Sequence, residues 1–426
     1  MVHGRTLLSA GLALAFLAVQ PAFAASEEDA ALDLAPAAEA APAARAEPGL
    51  RVFVEGTAGR LTQRYGLPSE DVRRLSLDLT WQFKPAAQWR AVLSNRLDDI
   101  HPAEQGSRST LNSLREVYVG WQAADGQWAA DLGRVNLRNG PAYGFNPTDY
   151  FRDGSARAVT SADPLALREN RLGTAMLRAQ RLWEGGNLTL VAAPKLRDGP
   201  SDSSFSPDWG ATNHADRVLM SVTTQAGSNV NLQGFAFHEQ GKGAQIGASG
   251  TALLGRSTVG FFEWSGGKDA ELLSEALTPS PRIITGHRAT VGATFTLPTG
   301  LALTAEFEYN KFALDKAGWN EALATYGLEP LGTYLFHVQR RQDIASRKAA
   351  MVYASQRNAF VRNLDLTGLV RYNTEDRSRF YWVEARYHFP KVDVALQWQG
   401  NRGAAQTEYG AVPGRTLVQL LAAVYF

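Results

Sequence analysis

The chain has 426 residues, 45% of them hydrophobic and 10% aromatic, with 39 Gly, 19 Pro, no Cys and a formal net charge of +1. The lack of cysteine excludes disulfides, thiolate metal sites, a lipid-modified cysteine and a thiol nucleophile, and a mean hydropathy of −0.23 argues against a bundle of apolar membrane-crossing helices. Balanced charge gives no long-range pull toward nucleic acid, so any electrostatic function must come from local segregation of charge.

Arg5, an apolar run from Leu7 to Val19 and a small-x-small ending at Ala22-Phe23-Ala24 predict a cleaved export signal over residues 1–24. Without Arg5 the remaining 42 bases balance 42 acids. Residues 25–50 are acidic and rich in Ala and Pro, with too few large apolar side chains to bury a core, and are expected to form a disordered periplasmic leader.

From Arg51 to Phe426 the texture is uniform: short segments alternate apolar and polar residues with the period of a β-strand. Leu75, Leu77, Leu79, Trp81 and Phe83 alternate with Arg74, Ser76, Asp78, Thr80 and Gln82. Leu303, Ala305, Phe307 and Tyr309 alternate with Thr304, Glu306, Glu308 and Asn310, and Val392, Val394, Leu396 and Trp398 with Asp393, Ala395, Gln397 and Gln399. The links between segments alternate tight and long. Tight ones fall near 84, 123, 183, 226, 253, 297, 357–363 and 389; mostly longer polar ones span 60–71, 99–112, 135–170, 196–213, 266–282, 313–345 and 401–414, with short exceptions near 240 and 375. Counting segments gives 18 strands, with a margin down to 16.

Tight turns at one end and long loops at the other are what a transmembrane β-barrel requires, and closure leaves no strand edge with unsatisfied backbone groups in hydrocarbon. The fold class is therefore all-β: a closed antiparallel barrel with short periplasmic turns and long extracellular loops. Trp81, Phe83, Trp89, Trp121, Trp128, Tyr387, Phe389 and Trp398 lie near segment ends, as interfacial girdles demand.

The chain ends in TLVQLLAAVYF, with Val418, Leu420, Ala422, Val424 and Phe426 on one face. This resembles the terminal strand by which Gram-negative outer-membrane barrels are recognised by their assembly machinery. A second resemblance lies at Leu132-Gly133-Arg134. In Gram-negative porins a Gly-Arg pair at a strand end often precedes a long loop that folds into the barrel and narrows the pore. The resemblance covers architecture over residues 51–426, and its motif is two or three residues long. It implies an outer-membrane location, contact with outer-membrane lipid and passage of small hydrophilic solutes. A homotrimer is compatible with it, since a lipid-facing wall and a subunit-facing wall have the same composition.

The link 135–170 is the most informative. Between 134 and 171 stand Arg134, Arg138, Arg152, Arg157, Arg168 and Arg171 against Asp149, Asp153, Asp163 and Glu169, while Tyr143, Phe145, Tyr150 and Phe151 supply apolar surface for packing. Arginines facing carboxylates across a narrow wet passage would filter solutes by size and charge. Arg134, Arg138, Asp149, Arg152, Asp153, Arg157, Arg168, Glu169 and Arg171 are thus the candidate constriction; the alternative is an external loop held by internal ion pairs. Lumen-lining candidates on polar strand faces are Asp78, Arg90, Arg96, Glu116, Asp131, Lys195, Arg217, Glu306, Glu308, Asp365, Arg371, Glu384, Arg386 and Asp393, with His388 beside them as a spectator. Both signs occur, so strong ion selectivity does not follow.

No nucleophile elbow, zinc helix or phosphate-cradling glycine loop occurs. Neighbouring carboxylates such as Glu306 and Glu308 read as lumen neighbours. No enzymatic activity, cofactor or metal is expected. The leading expectation is a passive channel for small hydrophilic solutes. The alternatives are a specialised conduit for export of an acidic polysaccharide or uptake of one substrate, guided by the loop arginines, and a surface scaffold or adhesin that acts through its loops.

Overall fold

A computed structural model describes residues 49–103, 109–159 and 161–426. The expected signal peptide and all but the last two residues of the leader lie outside them. Eighteen antiparallel strands follow in order: β1 (Gly49–Gln63), β2 (Glu70–Ala86), β3 (Trp89–His101), β4 (Thr110–Gln122), β5 (Trp128–Val135) and β6 (Thr174–Trp183). Next come β7 (Gly186–Ala193), β8 (Arg217–Ala226), β9 (Val230–Glu239), β10 (Gly243–Leu253), β11 (Thr258–Ala270) and β12 (Ile283–Thr296). The last six are β13 (Ala302–Asn310), β14 (Lys348–Gln356), β15 (Leu364–Asn373), β16 (Arg379–His388), β17 (Val392–Arg402) and β18 (Gly414–Tyr425). Each strand pairs with its sequence neighbours, and β1 pairs with β18, so the sheet is a closed ring. Gly49 and Leu50, read as leader, already pair with Gln82 and Trp81.

The alternation becomes two faces of opposite character. Outward stand Leu75, Leu77, Trp81 and Phe83 of β2, all exposed, while the intervening Ser76 and Asp78 are buried. A water-soluble fold would bury the first set; here the apolar face is the exterior, which is stable only in contact with hydrocarbon. Trp81, Phe83, Trp89, Trp128, Trp183 and Phe389 cluster, exposed, at the tight-turn end.

Two departures from a plain barrel position the interior. The first is on β4, where the register shifts so that Ser94 pairs with Glu116 and Asn95 with Leu114, leaving Arg115 as an extra residue. Arg115 is thereby buried inward beside Asp78. The second is β5, which leaves the wall at Val135 after only 8 residues. The link 194–216 closes the resulting gap: Ser204 O accepts from Asn112 N at 2.8 Å, and the Asn213 amide bonds both Ala175 N and Ala175 O, at 2.9 and 2.8 Å.

At the loop end the link 311–347, of which 313–345 is read from sequence as a polar loop, contains two helices, Lys316–Tyr326 and Leu328–Arg340. Asp315 caps the first by accepting from Gly318 N at 2.8 Å, and Gly327 at φ 80° ends it. Leu331, Tyr334 and Val338 of the second, at helical spacing, are buried against Trp319 and Phe312, and Leu272 of a short helix Leu272–Leu277 joins them. This is an apolar cap over part of the barrel mouth. Among the described residues no helix is long and apolar enough to cross a membrane.

Candidate functional site

The chain between Val135 and Thr174 enters the barrel and reaches strands on the far side of the ring. Segments on either side of its middle pack on the inward side of β6 to β9. Leu137, Tyr150 and Phe151 are buried with Met176, Val191, Leu219, Phe235 and Phe237, and the Tyr150 and Phe237 rings stack with centroids 4.5 Å apart. The inward wall is apolar there because the loop, not water, covers it.

The middle stretch is held by carboxylates. Glu263 of β11 accepts from Ala142 N (2.8 Å), Thr148 N (3.1 Å), Thr148 Oγ1 (2.8 Å) and Asn146 Nδ2 (3.0 Å). Glu306 of β13 accepts from Tyr143 N (2.6 Å) and Gly144 N (2.8 Å). Thr290 of β12 donates to Phe145 O at 2.7 Å, and Arg371 of β15 donates to Gly144 O at 2.9 Å and to Glu308 at 3.0 Å. The wall approaches so closely that a Cβ on Gly144 would collide with Glu308 Oε1; Gly140, at φ 83°, stands likewise against the Glu263 carboxylate.

Farther on, the loop is tied to the cap. Arg152 donates to Gln342 O (3.1 Å) and Asp343 (3.3 Å), and Gln342 Nε2 donates back to Arg152 O (3.1 Å). Asp153 lies 3.6 Å from Lys242 Nζ and 3.9 Å from Arg341. Burial works against the Asp153 carboxylate, but Arg341 and Lys242 outweigh it and hold it well below the ordinary aspartate range. A helix, α1 (Pro164–Glu169), then turns the chain back: Asp163 caps it through Leu165 N at 3.0 Å. Leu165 packs against a cluster of Tyr143, Tyr353, Leu369 and Trp382. The next residue after α1, Asn170, accepts from Arg115 Nη1 of β4 at 2.6 Å.

The candidate constriction residues divide. Arg171 grips Asp149 with two bonds of 2.7 and 3.1 Å, and Arg168 donates to the carbonyls of Asn139, Gly140 and Ala142. Asp149, Arg168 and Arg171 are therefore spent on the loop's own architecture, and Arg152 and Asp153 on its ties to Gln342, Asp343, Arg341 and Lys242. Arg157 pairs with Asp208 of the link 194–216. Arg134 is displaced from the lumen: it pairs across the sheet with Val117 and Ala175 on the outward register. Its guanidinium donates to the carbonyls of Gly173, Leu114, Pro207 and Asp208 and lies 4.7 Å from the Trp209 ring. The Gly-Arg pair thus serves the patch over the wall gap. Only Arg138 and Glu169, 4.0 Å apart and 43% and 65% exposed, keep substantial contact with water.

Of the lumen-lining candidates, Lys195 lies beyond the end of β7 in the link 194–216, paired with Asp198 at 2.6 Å. The others stand on the inward face, many of them in ion pairs. Asp78 accepts from Arg115 (2.6 Å) and lies 3.4 Å from Arg96, which reaches Glu55 at 2.8 Å and Asp98 at 2.9 Å. Asp131 is held between Arg90 (3.0 Å) and Arg178 (2.9 Å). Glu116 accepts from Asn136 N at 3.0 Å, and the Arg217 guanidinium lies 4.9 Å from the Phe151 ring. Glu384 pairs with Arg386 at 2.7 Å, and His388 bridges Asp393 (2.9 Å) and Asp365 (3.1 Å). Arg90, Asp365, Arg371, Arg386 and His388, on β3 and β15 to β16, retain partial exposure. Among the described residues no group of three or more His, Asp or Glu side chains is arranged to hold a metal ion.

Sequence reasoning missed Glu263, although Phe262-Glu263-Trp264 alternates like its neighbours. It also missed Arg115, which the bulge turns inward.

No family model and no curated protein matches the chain. Solved structures do. The crystal structure of Acinetobacter baumannii OccAB1 is 8% identical with a TM-score of 0.55, over 88% of this chain and 96% of that one. That of Acinetobacter baumannii OccAB4 is 8% identical with a TM-score of 0.52, over 91% and 100%. A triple mutant of Rhodopseudomonas blastica porin is 11% identical with a TM-score of 0.44, over 89% and 100%. The likeness is one of fold: the chain is a porin-type closed barrel.

Proposed function

We propose that the protein is an outer-membrane channel for passive diffusion of small hydrophilic solutes, and that the loop 136–173 sets its bore. The observation that carries this reading is the loop's suspension across the barrel, from β5 to the carboxylates of β11 and β13. Such a strut narrows a wide barrel without closing it, and the inward ion pairs line the remaining passage with fixed charges of both signs. Outer-membrane lipid meets the exposed Leu, Val and Phe face, and β18 with the Phe426 that follows it serves recognition by the assembly machinery. The apolar exterior is equally suited to lipid and to the neighbours in a homotrimer.

The test is conductance of the purified protein in planar bilayers. Discrete openings with weak ion selectivity are expected. A folded barrel that never conducts overturns the channel reading and leaves the scaffold reading in its place. The conduit guided by loop arginines has less support, because Arg152 and Arg157 are engaged by Asp343 and Asp208. Arg138 is the arginine it still has to offer.

A further inference from the structure

Both chain ends lie at the tight-turn end of the ring. Gly49 opens β1 opposite Gln82, and Phe426 N donates to Val52 O at 3.1 Å. The turns 357–363, 389–391 and 84–88 flank that point and carry, in that order, Arg357 with Arg362, Lys391 and Lys84, while Arg51 stands between them on β1. None of the three turns contains an acid; the C-terminal carboxylate of Phe426 is the counter-charge on their surface. Asp365 and Asp393 stand just inside, bridged by His388. Arg51, Lys84, Arg362 and Lys391 are exposed, and among the described residues no hydrogen bond or ion pair engages their side chains. This basic arc borders the part of the interior where Arg90, Arg386 and His388 keep contact with water. Elsewhere the tight turns hold Arg256, Asp125 and Glu184.

One turn of the arc carries an apolar tip. Asn358 N donates to Asp365 Oδ1 (3.0 Å), Ala359 N to Leu364 O (2.7 Å) and Asn363 N to Asn358 Oδ1 (2.8 Å), so the turn is pinned to β15. Ala359 is fully buried, yet Phe360 beside it is 91% exposed at φ 62°, and Val361 is 53% exposed. A left-handed backbone is costly for a bulky residue. Here it goes with an aromatic ring left uncovered between Arg357 and Arg362 in the turn.

Residues 25–48, which join the barrel at Gly49, have the opposite charge, with six acids against Arg45. Glu27, Glu28, Asp29 and Asp33 stand close together, beside Leu32 and Leu34. Extended, the 16 residues from Leu34 to Gly49 span up to about 50 Å. We infer that this leader docks on the basic arc and lies across the wet part of the mouth. Its acids at 27–33 meet Arg362 and Lys391, and Leu32 and Leu34 cover Phe360 and Val361. A second copy in the same membrane would bring an identical basic arc, and at this end it offers Asp125 and Glu184 only singly. The leader instead brings four clustered acids on a tether rooted in the middle of the arc, where its effective concentration is on the order of millimolar. Anionic lipid has no such tether. The docking goes beyond the channel reading and does not depend on conduction.

The chain has no native cysteine, so a disulfide between two introduced ones reads the contact directly. In the detergent-folded protein at low salt, Ala35→Cys with Val361→Cys should cross-link readily. Ala35→Cys with Ala124→Cys, on a turn no farther from β1 around the ring but bearing Asp125, should not. Arg362→Gln with Lys391→Gln, both at exposed positions, should lower the first yield about fivefold, and about 1 M salt should lower it likewise. Glu28→Lys with Asp33→Lys should abolish it, and adding Arg362→Glu and Lys391→Glu should restore it. Equal yields with Val361→Cys and Ala124→Cys overturn the docking, as does a yield indifferent to salt and to the rim substitutions. So does loss of the cross-link in bilayers containing phosphatidylglycerol, since the arc would then belong to lipid. In planar bilayers, oxidation of the cross-linking pair should lower conductance and reduction restore it; equal openings overturn the leader's course across the mouth. A conducting barrel that never cross-links refutes only the docking, and a specific cross-link in a barrel that never conducts refutes only the channel.

Discussion

Glu263 and Glu306 hold the crossing loop mainly through main-chain amides, which are present whatever side chains the loop carries. Removing such a carboxylate leaves buried N–H groups without acceptors, at a cost of about 1–3 kcal/mol per group. The double variant Glu263→Ala, Glu306→Ala should release the loop, raise single-channel conductance and lower the unfolding temperature in detergent. Unchanged conductance would mean that the loop does not limit the bore. Gly144→Ala should act through the wall instead, because its Cβ would press on the Glu308 carboxylate and Met351. Overpacking of that kind costs about 1–3 kcal/mol, readable as a lower unfolding temperature. Glu306 and Glu308 are legible in sequence as inward carboxylates. That Glu306 accepts two amides while Glu308 takes Arg371 is not legible, since it depends on a loop more than a hundred and fifty positions away.

β5 is short because its chain is needed inside the barrel, and the price is a gap that Arg134 and the link 194–216 close together. Arg134→Ala strands the carbonyl of Pro207, leaves those of Gly173 and Asp208 to Thr212 Oγ1 and Ala211 N alone, and should destabilise the fold by about 1–3 kcal/mol. Limited proteolysis should then cut first between residues 197 and 208. Cleavage elsewhere would deny the link its sealing role. A second element, the short helix Glu408–Ala411 in the link 403–413, should make stability depend on pH. Burial, reinforced by Asp376, pushes the Glu408 carboxyl up to about 7 against the opposing pull of Arg371 and Asn373. The folded state thus keeps a proton that the unfolded chain releases near 4.5. Stability should therefore fall as pH rises from about 4.5 to about 7 and level off above it. Denaturant titrations at several pH values should show this slope in the wild type and its loss in Glu408→Gln.

The barrel as a body is stable only where its exterior meets hydrocarbon. Leu77→Arg, on the outward face of β2, should cost about 2–4 kcal/mol in lipid bilayers if it lies near the midplane, measured by reversible unfolding from vesicles. Thr367→Arg, on the inward face of β15, should cost much less, because that face has water to solvate a charge. Equal penalties at both sites would contradict the assignment of faces.

Strand number, the order of pairing, the two faces and the end bearing the loops were all readable from residues 51–426. Each depends on alternation and on turn length, which are local, and closure follows because open edges cannot persist in hydrocarbon. The loop's charges were readable only as a list. Their partners are set by long-range packing: the apolar patch of β6 to β9 that receives Tyr150 and Phe151, the carboxylates of β11 and β13, and the gap that draws Arg134 to the outside. The cap helices of 316–340 went unread as well, since their apolar positions have nothing to pack against until the barrel brings Leu272 and Phe312 beneath them. Patterns repeated every second residue survive in the primary chain; contacts between distant segments exist only once the ring has closed.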